Sequence, residues 1–257
     1  MSIVGAILGD ISGSQFEFNR CMDSAKCQIF TEKCIATDDT IMTLAVKYAI
    51  DNNVPYDEAL QMFGRKYQHA GYGYNFCKWI LSDNPKPYNS WGNGSAMRVS
   101  YVGEHFEDLK DVQKAAKESA EVTHNHPEGI KGAVVTATCI WMARHGKTKQ
   151  EIYNYVLGEY PEDKYEYSIC RSMEWLKENY VWNESCQGSV PVAMRCFIDS
   201  NSYEDFLRNV YALDSDSDTL AAIGGAVTAD FYGATGFPDN ELLELYLDEY
   251  LLGVLRA

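Results

Sequence analysis

The chain has 257 residues, 46% of them hydrophobic and 13% aromatic, and a formal net charge of −15. That length serves one large domain or two small ones, and no long segment is both highly charged and poor in large apolar side chains, which excludes a disordered chain. An evenly acidic surface repels phosphate backbones, so nucleic acid is disfavoured as a partner.

Met1-Ser2-Ile3-Val4-Gly5 carries no basic region, and the apolar stretch it opens is interrupted by Asp10. No run approaches the roughly 20 apolar residues of a membrane span. A membrane partner is therefore not expected, and a cytoplasmic protein is. Gly5-Ala6-Ile7-Leu8-Gly9 reads as a helix of small residues, and Leu220-Ala221-Ala222-Ile223-Gly224-Gly225-Ala226 reads as a second. Glycine weakens a helix interior by roughly 1 kcal/mol relative to alanine. Its recurrence inside two apolar helical patterns points to close backbone approach between buried helices.

Helices are also expected near 41–51, 56–69, 109–121, 148–157, 168–180 and 203–213. Over 129–145, Ile130, Ala133, Val134, Ala137, Ile140 and Trp141 share one stripe; over 240–254, Leu243, Tyr246, Leu247, Tyr250, Leu251 and Val254 do the same. Period-two alternation is scarce. Gly and Pro cluster at 71–73, 84–94 and 233–238, which read as loops, and no Pro/Ser-rich linker divides the chain. The expectation is an all-α fold in one domain, 1–257. The aromatic stretch from Tyr72 to Trp79 reads as core. The eight cysteines form no CxxC pair, and several fall in apolar helical stretches, as Cys139 does. Reduced, mostly buried thiols fit a reducing cytosol, and zinc has little support.

Four segments carry candidate chemistry. Thr37-Asp38-Asp39-Thr40 opens a helix, where Thr and Asp satisfy free N–H groups and meet the positive end of the dipole. Asp214-Ser215-Asp216-Ser217-Asp218-Thr219 opens another, with three carboxylates and nothing basic within five residues. Both can be caps. Both can also supply oxygen ligands to a hard cation such as Mg²⁺, Mn²⁺ or Ca²⁺. Trp91-Gly92-Asn93-Gly94-Ser95-Ala96-Met97-Arg98 is a turn that either leads a helix or presents backbone N–H groups to a phosphate. Thr123-His124-Asn125-His126-Pro127-Glu128-Gly129 offers either structural histidines or neutral imidazoles that hydrogen-bond a sugar or phosphate.

Taken in this order, the segments resemble the ADP-ribosylglycohydrolase family, which includes the dinitrogenase reductase-activating glycohydrolases and the ADP-ribosylarginine and ADP-ribosylserine hydrolases. The resemblance runs from residue 3 to about 233. Gly5 to Asp10, with Gly13 and Glu17-Phe18, is similar to the family's opening helix and acidic loop. The two Asp/Thr segments resemble its metal motifs, and 92–98 and 124–129 resemble its glycine turn and His-Pro segment.

The resemblance implies a single-domain orthogonal helical bundle. It implies two Mg²⁺ (or Mn²⁺) held by Thr37, Asp38, Asp39, Asp216, Asp218 and Thr219, with Glu17, Asp39 and Asp218 as catalytic carboxylates. Gly92, Asn93, Gly94, Ser95, His124 and His126 would bind substrate. The implied activity is hydrolysis of an ADP-ribosyl N- or O-glycosidic linkage, on a modified protein or a small ADP-ribosyl compound, by a monomer. Hydrolysis of another ribosyl or nucleoside substrate, and ADP-ribose binding without turnover, are the alternatives. Asp214-Ser215 stands where many relatives have two glycines, and Asp214 is expected to face solvent.

Overall fold

The computed structural model describes residues 1–257. It contains fifteen helices and no strand. In chain order they are α1 (Ser2–Ser14), α2 (Asp38–Asn52), α3 (Tyr56–Lys66), α4 (Tyr74–Ile80), α5 (Gly94–Met97), α6 (Ser100–His105), α7 (Leu109–Glu121) and α8 (Pro127–Arg144). There follow α9 (Lys149–Glu159), α10 (Met173–Asn179), α11 (Cys186–Ile198), α12 (Tyr203–Tyr211), α13 (Ser217–Tyr232), α14 (Asp239–Tyr246) and α15 (Glu249–Arg256). They enclose one hydrophobic core, and all eight cysteines are free. No helix is long and apolar enough to cross a membrane.

The centre is α1 against α13. Neither helix has a solvent face over most of its length: nearly every residue from Ser2 to Gly13, and all from Ser217 to Ala229, is buried. A helix apolar all round belongs inside, surrounded by other helices. Here α2 and α6 pack on α1, while α8, α11 and α12 pack on α13. The outer helices α3, α7, α12 and α15 are amphipathic and bury one stripe each.

The glycines of α1 set the spacing. A Cβ on Gly5 would lie 2.5 Å from the Gly225 carbonyl oxygen, one on Gly9 2.2 Å from that of Ala221, and one on Gly13 2.6 Å from that of Ser217. The helices run antiparallel with backbone on backbone. Buried tyrosines bind the polar atoms left along this seam: Tyr203 Oη donates to the Gly5 carbonyl and Tyr211 Oη to Ser12 Oγ, each at 2.6 Å.

Several elements depart from the sequence reading. The stripe over 240–254 is two helices, because Leu247 is extended (φ −104°, ψ 142°) and Asp248 caps a new start by accepting from Leu251 N at 2.9 Å. The helix expected over 168–180 begins only at Met173, capped by Ser172. Helix α11 had no counterpart in the reading: Gly188 and Pro191 lie inside it and break the pattern. The 71–90 region contains α4, whose Phe76 and Trp79 are buried while Tyr74 is exposed.

Gly9→Ala should destabilise the protein by about 1–3 kcal/mol or more, since backbone atoms cannot yield to the added methyl. Gly158→Ala in α9, where nothing lies within 4 Å of the new methyl, should be neutral or stabilising by a few tenths of a kcal/mol. Urea unfolding of the two variants checks this; equal midpoints would show that the seam tolerates side chains.

Candidate active site

Where α1 passes the start of α13, it also passes the start of α2. Asp10, fully buried on α1, accepts from Thr37 N (3.0 Å), Thr37 Oγ1 (2.6 Å) and Thr40 N (3.0 Å). Three donors on one carboxylate fix the first turn of α2 against α1. Thr37 also caps α2, its Oγ1 accepting from Asp39 N at 3.3 Å. Ser217 Oγ donates to the Gly13 carbonyl at 2.8 Å, which locks the start of α13 to the end of α1.

Both acidic segments therefore meet. One oxygen from each of Asp10, Asp39 and Asp218 lie within 4.8 Å of one another, and so do oxygens of Glu17, Asp216 and Asp218. Asp218 belongs to both groups. Thr219 Oγ1 donates to Asp39 Oδ2 at 3.2 Å, a direct link between the two motifs. Asp216 stands at the N-cap position of α13, yet its side chain makes no capping bond; its Oδ2 accepts from Asn93 Nδ2 at 2.7 Å instead. The second motif is thus more than a cap. Asp214 is exposed, as expected, and neither Asp214 nor Ser215 has a positive φ, so the turn does not need the glycines found there in relatives.

A cavity of about 340 Å³ opens above the carboxylates. It is lined at one end by Glu17, Asp38, Asp39, Asp216, Asp218 and Thr219, and further along by Gly92, Asn93, Gly94 and His124. The glycine turn is strapped on two sides. Asn93 N donates to the Glu184 carbonyl (2.7 Å) and Cys186 N to that of Trp91 (2.9 Å), while Tyr88 N donates to the Thr123 carbonyl (3.2 Å). Thr37 lies buried behind the acidic end.

Ser95 and His126 do not line the cavity. Ser95 Oγ donates to the Gly129 carbonyl at 2.7 Å, and His126 Nδ1 accepts from Glu128 N at 3.1 Å to cap α8. Asp10 was not among the expected site residues; its signal is a carboxylate on the buried face of an apolar helix. Tyr88, Arg98, Trp182 and Glu184 also line the cavity. Arg98 lies within the glycine segment, but Tyr88, Trp182 and Glu184 sit in loops with no readable pattern. Phe18, next to Glu17, stacks on Trp182 with centroids 5.5 Å apart.

The electrostatics of the acidic end are one-sided. Burial raises the pKa of Asp39 and Asp218 well above the usual range, and neighbouring carboxylates add to the rise. Asp10 and Asp216 are pushed up to about 6, mainly by burial and against their hydrogen bonds. Half-buried Glu17 is pushed up to about 8 by burial, then by Asp218, Asp10 and Glu184. No lysine or arginine pairs with any of them. Asp39 Oδ1 is buried with no partner at all. Oxygen-only donors, uncompensated charge and an orphaned carboxylate oxygen fit a hard divalent cation.

A carboxyl whose folded pKa lies above its unfolded value holds its proton more readily when folded. Its contribution to stability is complete at low pH and is lost as pH rises through the folded value. For Asp10, Asp216 and Glu17 that window runs from about 4 to about 8. In EDTA, the melting temperature should fall across it more steeply than in Asp218→Asn, and Mg²⁺ should flatten the fall. Parallel pH profiles for wild type and variant would contradict this.

A family model described as ADP-ribosylglycohydrolase matches residues 1–255. The ADP-ribosylhydrolases ARH3 of Bos taurus and Homo sapiens are each 25% identical to the chain over 312 aligned residues, covering 93% of it and 86% of their own length. That of Gallus gallus is 25% identical over 315 residues, with the same coverage. Among solved structures, an ADP-ribosylglycohydrolase-related protein complex has the same fold, with a TM-score of 0.74 at 20% identity over 98% of this chain and 93% of that one. With the fold and the family model in agreement from end to end, the chain belongs to the ADP-ribosylglycohydrolase family and is a hydrolase of ADP-ribosyl glycosidic bonds.

Proposed function

We propose that this protein hydrolyses an ADP-ribosyl N- or O-glycosidic linkage on a modified protein side chain and releases ADP-ribose, with two Mg²⁺ (or Mn²⁺) at the acidic end of the cavity. The observation that carries the reading is the convergence of Glu17 with Asp38, Asp39, Asp216, Asp218 and Thr219 at one end of a cavity whose other end is the glycine turn and His124. The name shared by the ARH3 relatives supports an ADP-ribosylated substrate. The make-up of the cavity lining supports it too: carboxylates for the metal-bound ribose, then the Gly92–Gly94 turn and the His124 imidazole for the diphosphate.

Thr37, Asp38, Asp39, Asp216, Asp218 and Thr219 would hold the ions. Thr37 Oγ1 donates its proton to Asp10 and accepts from Asp39 N, which leaves one oxygen lone pair for a cation. Bound divalent cations supply positive charge for the hydroxyls of the terminal ribose, and so orient its C1. The protein's own groups do the rest. Asn93 holds Asp216 in place through Nδ2. Glu17 holds its proton up to about pH 8 among bare carboxylates, and bound divalent cations would favour its ionised form; that carboxylate, at the cavity wall beside Asp218, would orient a water and take its proton as the water's oxygen bonds C1. The bond from C1 to the acceptor breaks, its electron pair stays on the acceptor, and the acceptor leaves with the proton that Glu17 took from the water. Phe18, next to Glu17, stacks on Trp182 of the cavity wall. Gly92, Asn93, Gly94 and His124 fix the diphosphate side. A monomer in a reducing, cytoplasmic setting is consistent with eight free thiols.

Incubation with ADP-ribosylated arginine, serine and O-acetyl substrates, in Mg²⁺ and in EDTA, should give metal-dependent release of free ADP-ribose from at least one. Binding of ADP-ribose with no release from any of them would leave a binding module. Glu17→Gln should lower turnover by about 100-fold or more while still binding ADP-ribose.

Asp218→Asn should weaken Mg²⁺ binding by about 100-fold or more, whereas Asp214→Asn should leave it nearly unchanged. Calorimetric titrations of the two would refute this ranking if the losses were comparable.

A further inference from the structure

We propose that Arg98 and Thr123 form a relay that fixes His124 as a neutral imidazole donating from Nε2 into the cavity, where it holds a phosphate oxygen of the ligand's diphosphate. The inference rests on the reading of the site given above, which lays the diphosphate against the glycine turn.

Arg98 is 1% exposed and has no carboxylate partner. A guanidinium can only donate. Its Nη2 donates to the Ser119 carbonyl at 2.7 Å and to Thr123 Oγ1 at 3.0 Å. Thr123 is fully buried, and its Oγ1 has one other partner, His124 Nδ1 at 2.7 Å. Arg98 therefore occupies a lone pair on that oxygen. The hydroxyl proton is then satisfied in one arrangement only, pointing at Nδ1. Were Nδ1 protonated, Oγ1 would accept twice and its own proton would be stranded in a dry interior. Nδ1 is thus the acceptor, and the ring's proton sits on Nε2.

Nε2 has no partner in the protein, although His124 is only 5% exposed. The ring's far edge faces the glycine turn. A Cβ on Gly94 would lie 3.3 Å from Nε2, and one on Gly92 3.6 Å away. The two glycines keep free the space that a ligand oxygen needs beside the Nε2 proton. Burial and the Arg98 charge push the His124 pKa well down, so the ring stays neutral. Arg98 is thereby a positioning residue acting through Thr123, and its uncompensated charge favours an anion at this end of the cavity. The relay also ties two segments together, since Arg98 closes the glycine turn and Thr123 precedes the His-Pro segment.

A long-range ¹H–¹⁵N spectrum at pH 7, with His124 assigned by its loss in His124→Gln, should show the Nε2–H tautomer. In calorimetry with Mg²⁺, Thr123→Val should bind ADP-ribose at least about tenfold more weakly, and Thr123→Ser within about twofold of wild type. Melting temperatures separate this from a general loss of packing, which would lower stability without the rescue by serine. An Nδ1–H tautomer or an imidazolium overturns the relay. So does a Thr123→Val protein that binds ADP-ribose as tightly as wild type, and that result leaves the reading of the site intact. Wild-type protein that does not bind ADP-ribose removes that reading, and the phosphate role of His124 with it. The wild-type tautomer needs no variant in place of Thr123, so the assignment is decided even where Thr123→Val is unstable.

Discussion

The backbone contact between α1 and α13 is the constraint from which the site follows. Three glycines at a spacing of four, Gly5, Gly9 and Gly13, put carbonyl and Cα atoms of one helix against the other at distances no side chain allows. The antiparallel run then places Gly13 opposite Ser217 and Asp218. One turn back, Asp10 faces the start of α2. Two acidic motifs 180 residues apart in the chain (Asp39 and Thr219) are thereby joined by a hydrogen bond. The loss of helix propensity at each glycine, roughly 1 kcal/mol, is offset by burial of two helices that have no solvent face over most of their length.

Hydrogen bonding separates the roles of carboxylates that look alike in sequence. Asp10 accepts three bonds and is the anchor of the α2 turn. Asp216 accepts one from Asn93, which couples the acidic end to the glycine turn. Asp39 accepts one at Oδ2 and leaves Oδ1 bare and buried. Burying unpaired carboxylates costs several kcal/mol per ion in real proteins, and the fold offers no lysine or arginine in return. Such a cluster holds protons, binds a cation or opens. The raised pKa values describe the first state and the oxygen donor set describes the second.

Much of this was legible beforehand because it depends on local pattern. Small-residue helices announce close packing, and Asp/Thr runs at helix starts announce either caps or ligands. The all-α architecture and the meeting of the two acidic motifs both hold. What stayed hidden depends on tertiary context. Pro191 and Gly188 disguise α11, which α13 and α8 nonetheless pack into a helix. The apolar stripe over 240–254 continues through a real break at Leu247, since each half buries a leucine of its own, α14 packing on α1 and α15 on α2. Ser95 and His126 match the right segments but do not line the cavity, because Ser95 Oγ is bonded to the Gly129 carbonyl and His126 caps α8. Asp10 reads as an interruption of an apolar helix until its three donors are seen.

The two ends of the cavity carry opposite charge, although the protein as a whole carries −15. At one end the carboxylates repel one another and call for cations. At the other, Arg98 is buried without a counter-ion, its Nε also unpartnered, behind Thr123 and His124. A free anion would be drawn to the second end and repelled by the first. A neutral sugar would gain little at either until the cations are bound. A ligand with a diphosphate and a terminal ribose meets both requirements at once, with the diphosphate at the cationic end and the ribose hydroxyls at the metal-loaded end. On the proposed reading, this polarity would also give the ligand its direction, with the ribose C1 beside Glu17. On that reading, acceptor choice would rest on the loop after α1, which belongs to neither the glycine seam nor the straps that hold the turn.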